Sequence, residues 1–107
     1  MIKLEFEYRI ENHEDHAVVK LPKKLIPYSS QFRETLQSLY NQGYTTIILD
    51  CKYLKMLDAN SIGGIVVLQR KLKEQEGKLK LINVDNDHIK YLFRNIELNK
   101  IVDVEEI

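Results

Sequence analysis

The segment Thr45–Cys51, reading TTIILDC, constrains the fold more than any other stretch of the chain. It is β-branched and apolar without period-two alternation, the pattern of a strand covered on both faces. Such a strand belongs inside a sheet, and the flanking sequence supplies helices to cover it. Upstream, Phe32, Leu36, Leu39 and Tyr40 recur at helical spacing, with Ser29 or Ser30 placed to cap that helix and Gly43 to end it. Downstream, Asp58-Ala59-Asn60-Ser61 precedes an apolar run from Ile62 to Leu72. There Ile62, Ile65, Val66, Leu68 and Leu72 make one broad helical face, and Gly77 stops the helix.

The remaining elements follow the same logic. Ile2, Leu4, Phe6, Tyr8 and Ile10 alternate with Lys3, Glu5, Glu7 and Arg9, which predicts a half-buried strand. Asn12 to Asp15 is a polar turn signal, and His16 to Leu21 is a second strand that pairs with the first as a hairpin. Leu21-Pro22 and Ile26-Pro27 break the pattern. Beyond Gly77, Lys78 to Val84 reads as a strand and Asp85 to Asp87 as a cap. His88 to Asn95 is a short helix carrying Ile89, Leu92 and Phe93, and Leu98 with Ile101-Val102 is a last apolar patch expected to be a short strand. The order β-β-α-β-α-β-α-β implies right-handed crossovers and an α/β fold. The expected architecture is a small mixed, mostly parallel sheet of about four to five strands with helices packed against it, in one domain over residues 1–107.

Composition limits what such a domain can do. Sixteen basic and sixteen acidic residues cancel, so nothing favours wrapping a nucleic-acid backbone. The single cysteine, Cys51, rules out an internal disulfide and argues against a cysteine metal site. The longest apolar runs fall far short of a membrane span, and the charged start MIKLEFEYRIEN is unlike a secretory leader. The expectation is a cytoplasmic protein, a monomer or weak dimer, with no cofactor and no direct membrane insertion.

In parallel sheets, function gathers on loops leaving the carboxyl ends of strands. The richest such loop runs from Cys51 to Gly64, with Leu57-Asp58-Ala59-Asn60-Ser61-Ile62-Gly63-Gly64 at its centre. Asp58 is a good N-cap for the following helix. A helix start also exposes free N–H groups and about half a positive charge, which favours a nearby phosphate. The plainer reading is a capped buried helix whose glycines permit close packing. The run of a strand, a short loop, Asp-x-x-x-Ile-Gly, an apolar helix, Gly and the strand Lys-Leu-Lys-Leu-Ile-Asn-Val resembles STAS domains of anti-sigma factor antagonists. The likeness spans nearly the whole chain and is strongest from Thr45 to Val104.

The hallmark of those domains is Asp-Ser-Ser-Gly-Leu-Gly. Asp58 matches its Asp, Asn60 stands at the second Ser, Ile62 at the Leu and Gly63 at the last Gly. The first Ser, which a partner kinase phosphorylates in the family, falls on Ala59, and the first Gly falls on Ser61. The resemblance implies a protein that binds an anti-sigma factor or serine-kinase-type switch protein of the GHKL fold. Contacts are expected through Lys55, Asp58, Ala59, Asn60 and Ser61, the loop from Pro22 to Ser29, and polar residues of the helix such as Gln69 and Lys73. Two readings of the altered motif stay open. Ala59, lacking a hydroxyl, makes a permanently unphosphorylated binder, or Ser61 takes the phosphate instead. STAS domains also resemble subunits that brace the permease or ATPase of lipid-transport ABC assemblies, and the altered motif suits that role too.

Other residues carry weaker signals. Asp50 ends a strand as the phosphoacceptor of receiver domains does, but those also need an acidic pair for magnesium after a buried first strand. Here that strand is half polar, so Asp50 is expected to satisfy nearby backbone. Gly63-Gly64 lacks the lysine and spacing of a phosphate-binding loop and reads as helix packing. His13, His16 and His88 have no helical metal spacing, although His13 and His16 share a hairpin turn. No Ser/His/Asp set, carboxylate pair or metal-hydrolase constellation stands out, and the expectation is a protein that is not an enzyme.

Overall fold

The structure is a computed structural model and describes residues 9–12 and 16–107. Nine elements follow in chain order: β1 (Arg9–Asn12), β2 (His16–Lys20), α1 (Ser29–Asn41), β3 (Thr46–Asp50), α2 (Ala59–Glu74), β4 (Lys78–Val84), α3 (Asp87–Asn95), a 3₁₀ turn (Leu98–Lys100) and β5 (Asp103–Glu106). The strands form one sheet in the order β1-β2-β3-β4-β5. β1 runs antiparallel to β2, and β2 to β5 are mutually parallel. This is the mixed, mostly parallel α/β arrangement expected from the sequence. The first seven residues of the expected Ile2–Ile10 strand and the 13–15 part of the hairpin turn lie outside the described residues.

The core is set by register. Ala17, Ile47 and Leu79 stand side by side across β2, β3 and β4, and Val19, Leu49 and Leu81 form the next row. All six are buried. Phe32, Leu36 and Leu39 of α1, Ile65, Leu68 and Leu72 of α2, and Ile89 and Phe93 of α3 belong to the same cluster. At the end of β4 the alternation slips by one residue. Asn83 adopts a left-handed φ of 57° and the pairing with β5 shifts register, so that Val84 returns to the buried row.

β3 corrects one expectation. Ile47 and Leu49 are buried, but Thr46, Ile48 and Asp50 are half-buried, so one face of the strand is sealed and the other only partly covered. Ile48 lies between Val18 and Lys80 in register, and those lateral neighbours, including the lysine's aliphatic stem, give an apolar side chain part of its cover.

The helix ends follow local chemistry. Asn86 caps α3 by accepting from the Ile89 amide at 3.1 Å. Gly43 ends the α1 region with φ 92°, a conformation open to glycine. Gly77 is required by proximity, since a Cβ there would lie 2.4 Å from the Thr45 carbonyl oxygen. α1 departs from expectation: its N-cap is Tyr28 with no side-chain cap bond, and Ser29 is a buried first-turn residue. The Leu98 to Val102 patch is also not a strand. Leu98 opens the 3₁₀ turn, both Leu98 and Val102 are buried, and the strand is the polar segment DVEE that follows. An edge strand leaves most side chains in water, so its sequence need not be apolar.

Candidate functional site

Two loops meet beyond the carboxyl ends of β2 and β3. The Lys23 carbonyl accepts from the amides of Lys55 and Met56 at 2.8 and 3.1 Å, and the Leu25 amide donates to the Met56 carbonyl at 2.9 Å. Leu25, Leu54 and Leu57 anchor the loops from below, all buried. Lys55 itself is exposed on the upper surface. Ile26, Tyr53 and Met56 are also exposed there, and Ile26-Pro27 is a cis peptide.

α2 begins at the rim of these loops. Asp58 is its N-cap, in extended conformation, with Oδ1 accepting from the Ser61 amide at 2.9 Å. Partial burial works to raise the Asp58 carboxyl. The Ser61 amide, the nearby hydroxyls of Ser61 and Ser29 and the residue's own backbone amide together outweigh it, and the carboxyl is held below its ordinary range. The Ser61 hydroxyl lies close enough to favour the carboxylate but, among the described residues, has no hydrogen-bond partner of proper geometry.

Ala59 and Asn60 form the exposed tip. The Asn60 side chain is committed to α1: its Nδ2 donates to Ser29 Oγ at 2.9 Å and its Oδ1 accepts from Arg33 Nη1 at 3.1 Å. The same Arg33 nitrogen donates to the Asn60 carbonyl at 3.2 Å. Arg33 reaches this position by lying over Gly63 and Gly64, where a Cβ on Gly64 would come within 2.7 Å of Arg33 Cγ. The glycine pair therefore serves helix packing, as the sequence implied, and what it accommodates is an arginine that fixes the tip.

Two residues expected on the outer side of α2 are placed otherwise. Ser61 is fully buried, 0% exposed, because it points beneath the first turn toward the core. Gln69 is half-buried with Oε1 enclosed and, among the described residues, without a hydrogen-bond partner, whereas Lys73 is exposed. The sequence marks Ser29 as a helix cap and as the end of the 22–29 contact loop, not as a partner of Asn60, and attaches no expectation to Arg33. Ser29 and Arg33 lie 31 and 27 residues before Asn60, and their i,i+4 spacing, which puts both on one face of α1, was the available signal.

The weaker candidates have structural roles. Asp50 Oδ1 accepts from the Lys52 amide at 3.1 Å and from Asn83 Nδ2 at 3.0 Å, tying β3 to the left-handed residue of β4. Burial, with the Asp50 carboxylate adding to it, pushes the Cys51 thiol up to about 12, so it stays protonated and unreactive near neutrality. Among the described residues no group of three histidine, cysteine or acidic side chains could hold a metal. Of the His13–His16 hairpin pair, His13 lies outside the described residues. Among the described residues no helix is long and apolar enough to cross a membrane.

A capped helix tip at the exit of a central strand, braced by a neighbouring helix, stands where the Asp-x-x-x-Ile-Gly sequence falls. Residues 7–106 match the family model of the STAS domain. The chain belongs to the STAS family. Several solved structures share this STAS fold. The anti-sigma factor antagonist SpoIIAA in its unphosphorylated form superposes with a TM-score of 0.78 at 22% identity, covering 92% of this chain and 87% of that one. A putative anti-sigma factor antagonist from Thermotoga maritima gives 0.78 at 23% identity, covering 95% and 86%. An anti-sigma factor antagonist from Mycobacterium paratuberculosis gives 0.79 at 11% identity, covering 92% and 84%. No curated protein sequence matches the chain.

Proposed function

We propose that this STAS domain is a cytoplasmic, non-catalytic binding module of a partner-switching pathway. Its α2 tip docks an anti-sigma factor or serine-kinase-type switch protein of the GHKL fold. The observation that carries the reading is the exposed, capped tip of Ala59 and Asn60, at the position of the family's phosphorylation motif. Lys55, Asp58 and the 22–29 loop flank it. Binding at such a surface is sensitive to charge, because a phosphate adds roughly 1.5 to 2 negative charges that a partner interface would have to desolvate.

Ala59 removes the phosphoacceptor from that position, and the burial of Ser61 supports the reading in which the tip is permanently unphosphorylated. A kinase would have to open the first turn of α2 to reach the Ser61 hydroxyl. Asn60 contributes through its backbone and its fixed geometry, since its amide group is turned toward α1.

Affinity capture from native lysate, with mass-spectrometric identification and a measured Kd for the recovered partner, tests the reading. A soluble kinase-fold partner whose affinity falls at least tenfold with Ala59→Glu is expected. Recovery of a permease or transport ATPase instead overturns it in favour of a bracing role in a transport assembly. Incubation of the recovered kinase with ATP tests the phosphorylation state, and phosphate on Ser61 would overturn the permanently unphosphorylated reading.

A further inference from the structure

Beside the α2 tip, the two paired loops carry a charge pattern that the docking of a folded protein does not explain. Residues 21–28 and 51–57 contain Lys23, Lys24, Lys52 and Lys55, no arginine and no carboxylate. All four lysines are exposed, and among the described residues none forms an ion pair. Four other lysines are paired, Lys20 with Glu11, Lys78 with Asp103, Lys80 with Glu105 and Lys100 with Glu97, while Lys71 meets the uncharged Gln37. The chain as a whole has no net charge, and these four lysines concentrate positive charge on the two loops themselves.

The backbone bonds from Lys55 and Met56 to Lys23, and from Leu25 to Met56, hold the two loops side by side. Ile26, Tyr53 and Met56 project among the lysines, 36%, 58% and 44% exposed, and the Lys52 ammonium sits 5.7 Å from the Tyr53 ring centre. The acids nearest in sequence are engaged internally, Asp50 with Lys52 and Asn83, Asp58 with Ser61. The exposed Asp85 and Asp87 follow β4 at the same end of the sheet, nearer the 51–57 loop than the 21–28 loop, and neither forms an ion pair with the four lysines.

The cores of protein interfaces favour arginine and are depleted in lysine. Lysines on protruding loops, interspersed with aromatic and aliphatic tips, suit the headgroup layer of an anionic bilayer. There the ammonium groups meet phosphate and carboxylate, the methylene stems lie along apolar surface, and tyrosine sits at the interface. We propose that this lysine platform holds the protein peripherally on anionic lipid surfaces, with Tyr53 and Met56 entering the headgroup region. The inference does not depend on the partner-switching reading. The α2 tip adjoins the platform, so a bilayer and a protein partner would meet the same end of the molecule.

Co-sedimentation with vesicles of phosphatidylserine and phosphatidylcholine, against vesicles of phosphatidylcholine alone, tests the proposal. The full chain is expected to bind the anionic vesicles at 50 mM salt, to leave them at 0.5 M salt, and to ignore the neutral ones. Each lysine is expected to contribute roughly fivefold to partitioning. The variant K23Q/K24Q/K52Q/K55Q should therefore lose at least about a hundredfold, with an unchanged circular dichroism spectrum. The control R70Q/K73Q, at the far end of α2, should bind as the parent does. Absence of binding to anionic vesicles, equal binding to neutral ones, or undiminished binding by the quadruple variant each overturns the proposal. Lysine-dependent binding to soluble polyglutamate with none to vesicles also overturns it and assigns the platform to an acidic protein segment.

Discussion

Asp58 governs the start of α2 through a single charge-assisted hydrogen bond, so its replacement is informative. Asp58→Ala should lower the unfolding free energy by about 0.5–2 kcal/mol, read from urea denaturation midpoints. The carboxyl is held below its ordinary range in the folded chain, so the unfolded chain takes up the proton first as the pH falls. The stability it contributes is present above the usual carboxylate range near pH 4 and is lost as the pH drops through the folded value. Asp58→Asn keeps a capping oxygen and should flatten that part of the stability profile. Ser61 offers a contrasting case at the same turn. Its buried hydroxyl has no hydrogen-bond partner among the described residues, so Ser61→Ala should leave stability unchanged or raise it by up to ~1 kcal/mol. A loss above about 1 kcal/mol in thermal or urea unfolding would show that the hydroxyl is bonded after all.

At the scale of elements, the contact between α1 and α2 decides how the tip is presented. Arg33 crosses Gly63 and Gly64 to reach Asn60, and Ser29 holds the other end of the same amide. A methyl group at Gly64 would displace the arginine at its Cγ, so Gly64→Ala should destabilise by about 1–3 kcal/mol. The damage should be relieved in the Arg33→Ala background, where the obstruction is gone. A double-mutant cycle should return a coupling of about 0.5–3 kcal/mol; additive effects would show that Arg33 is not what the glycine accommodates.

Across the whole molecule, the sheet is graded from a sealed centre to a charged edge. β3 and β4 bury Ile47, Leu49, Leu79 and Leu81, whereas β5 adds to its pairing with β4 one half-buried valine, Val104, and surface ion pairs from Lys78, Lys80 and Arg94. Exposed ion pairs contribute little to stability. Hydrogen exchange should therefore be slowest at the β3 and β4 amides and faster by orders of magnitude along β5. Equal protection of β5 and β3 would contradict that gradient. The platform of unpaired lysines belongs to this scale as well, since it arises only when two loops 30 residues apart in sequence are brought together.

Local sequence determined the order of elements, the parallel core strands and the capped start of α2. Hydrophobic period, capping residues and glycines act over a few neighbours, and Asp58, Gly43 and Gly77 each carried their signal within one turn. Tertiary structure alone decided which way Ser61 faced, how Asn60 was held, and which face of β3 was sealed. A helix residue's exposure depends on what lies against that face, and an unalternating apolar strand reads the same whether its second face is sealed or only partly covered. The end of the chain shows the same division. Leu98 and Val102 are apolar because they fill the core beside a turn, while the strand beyond them is polar because it borders water.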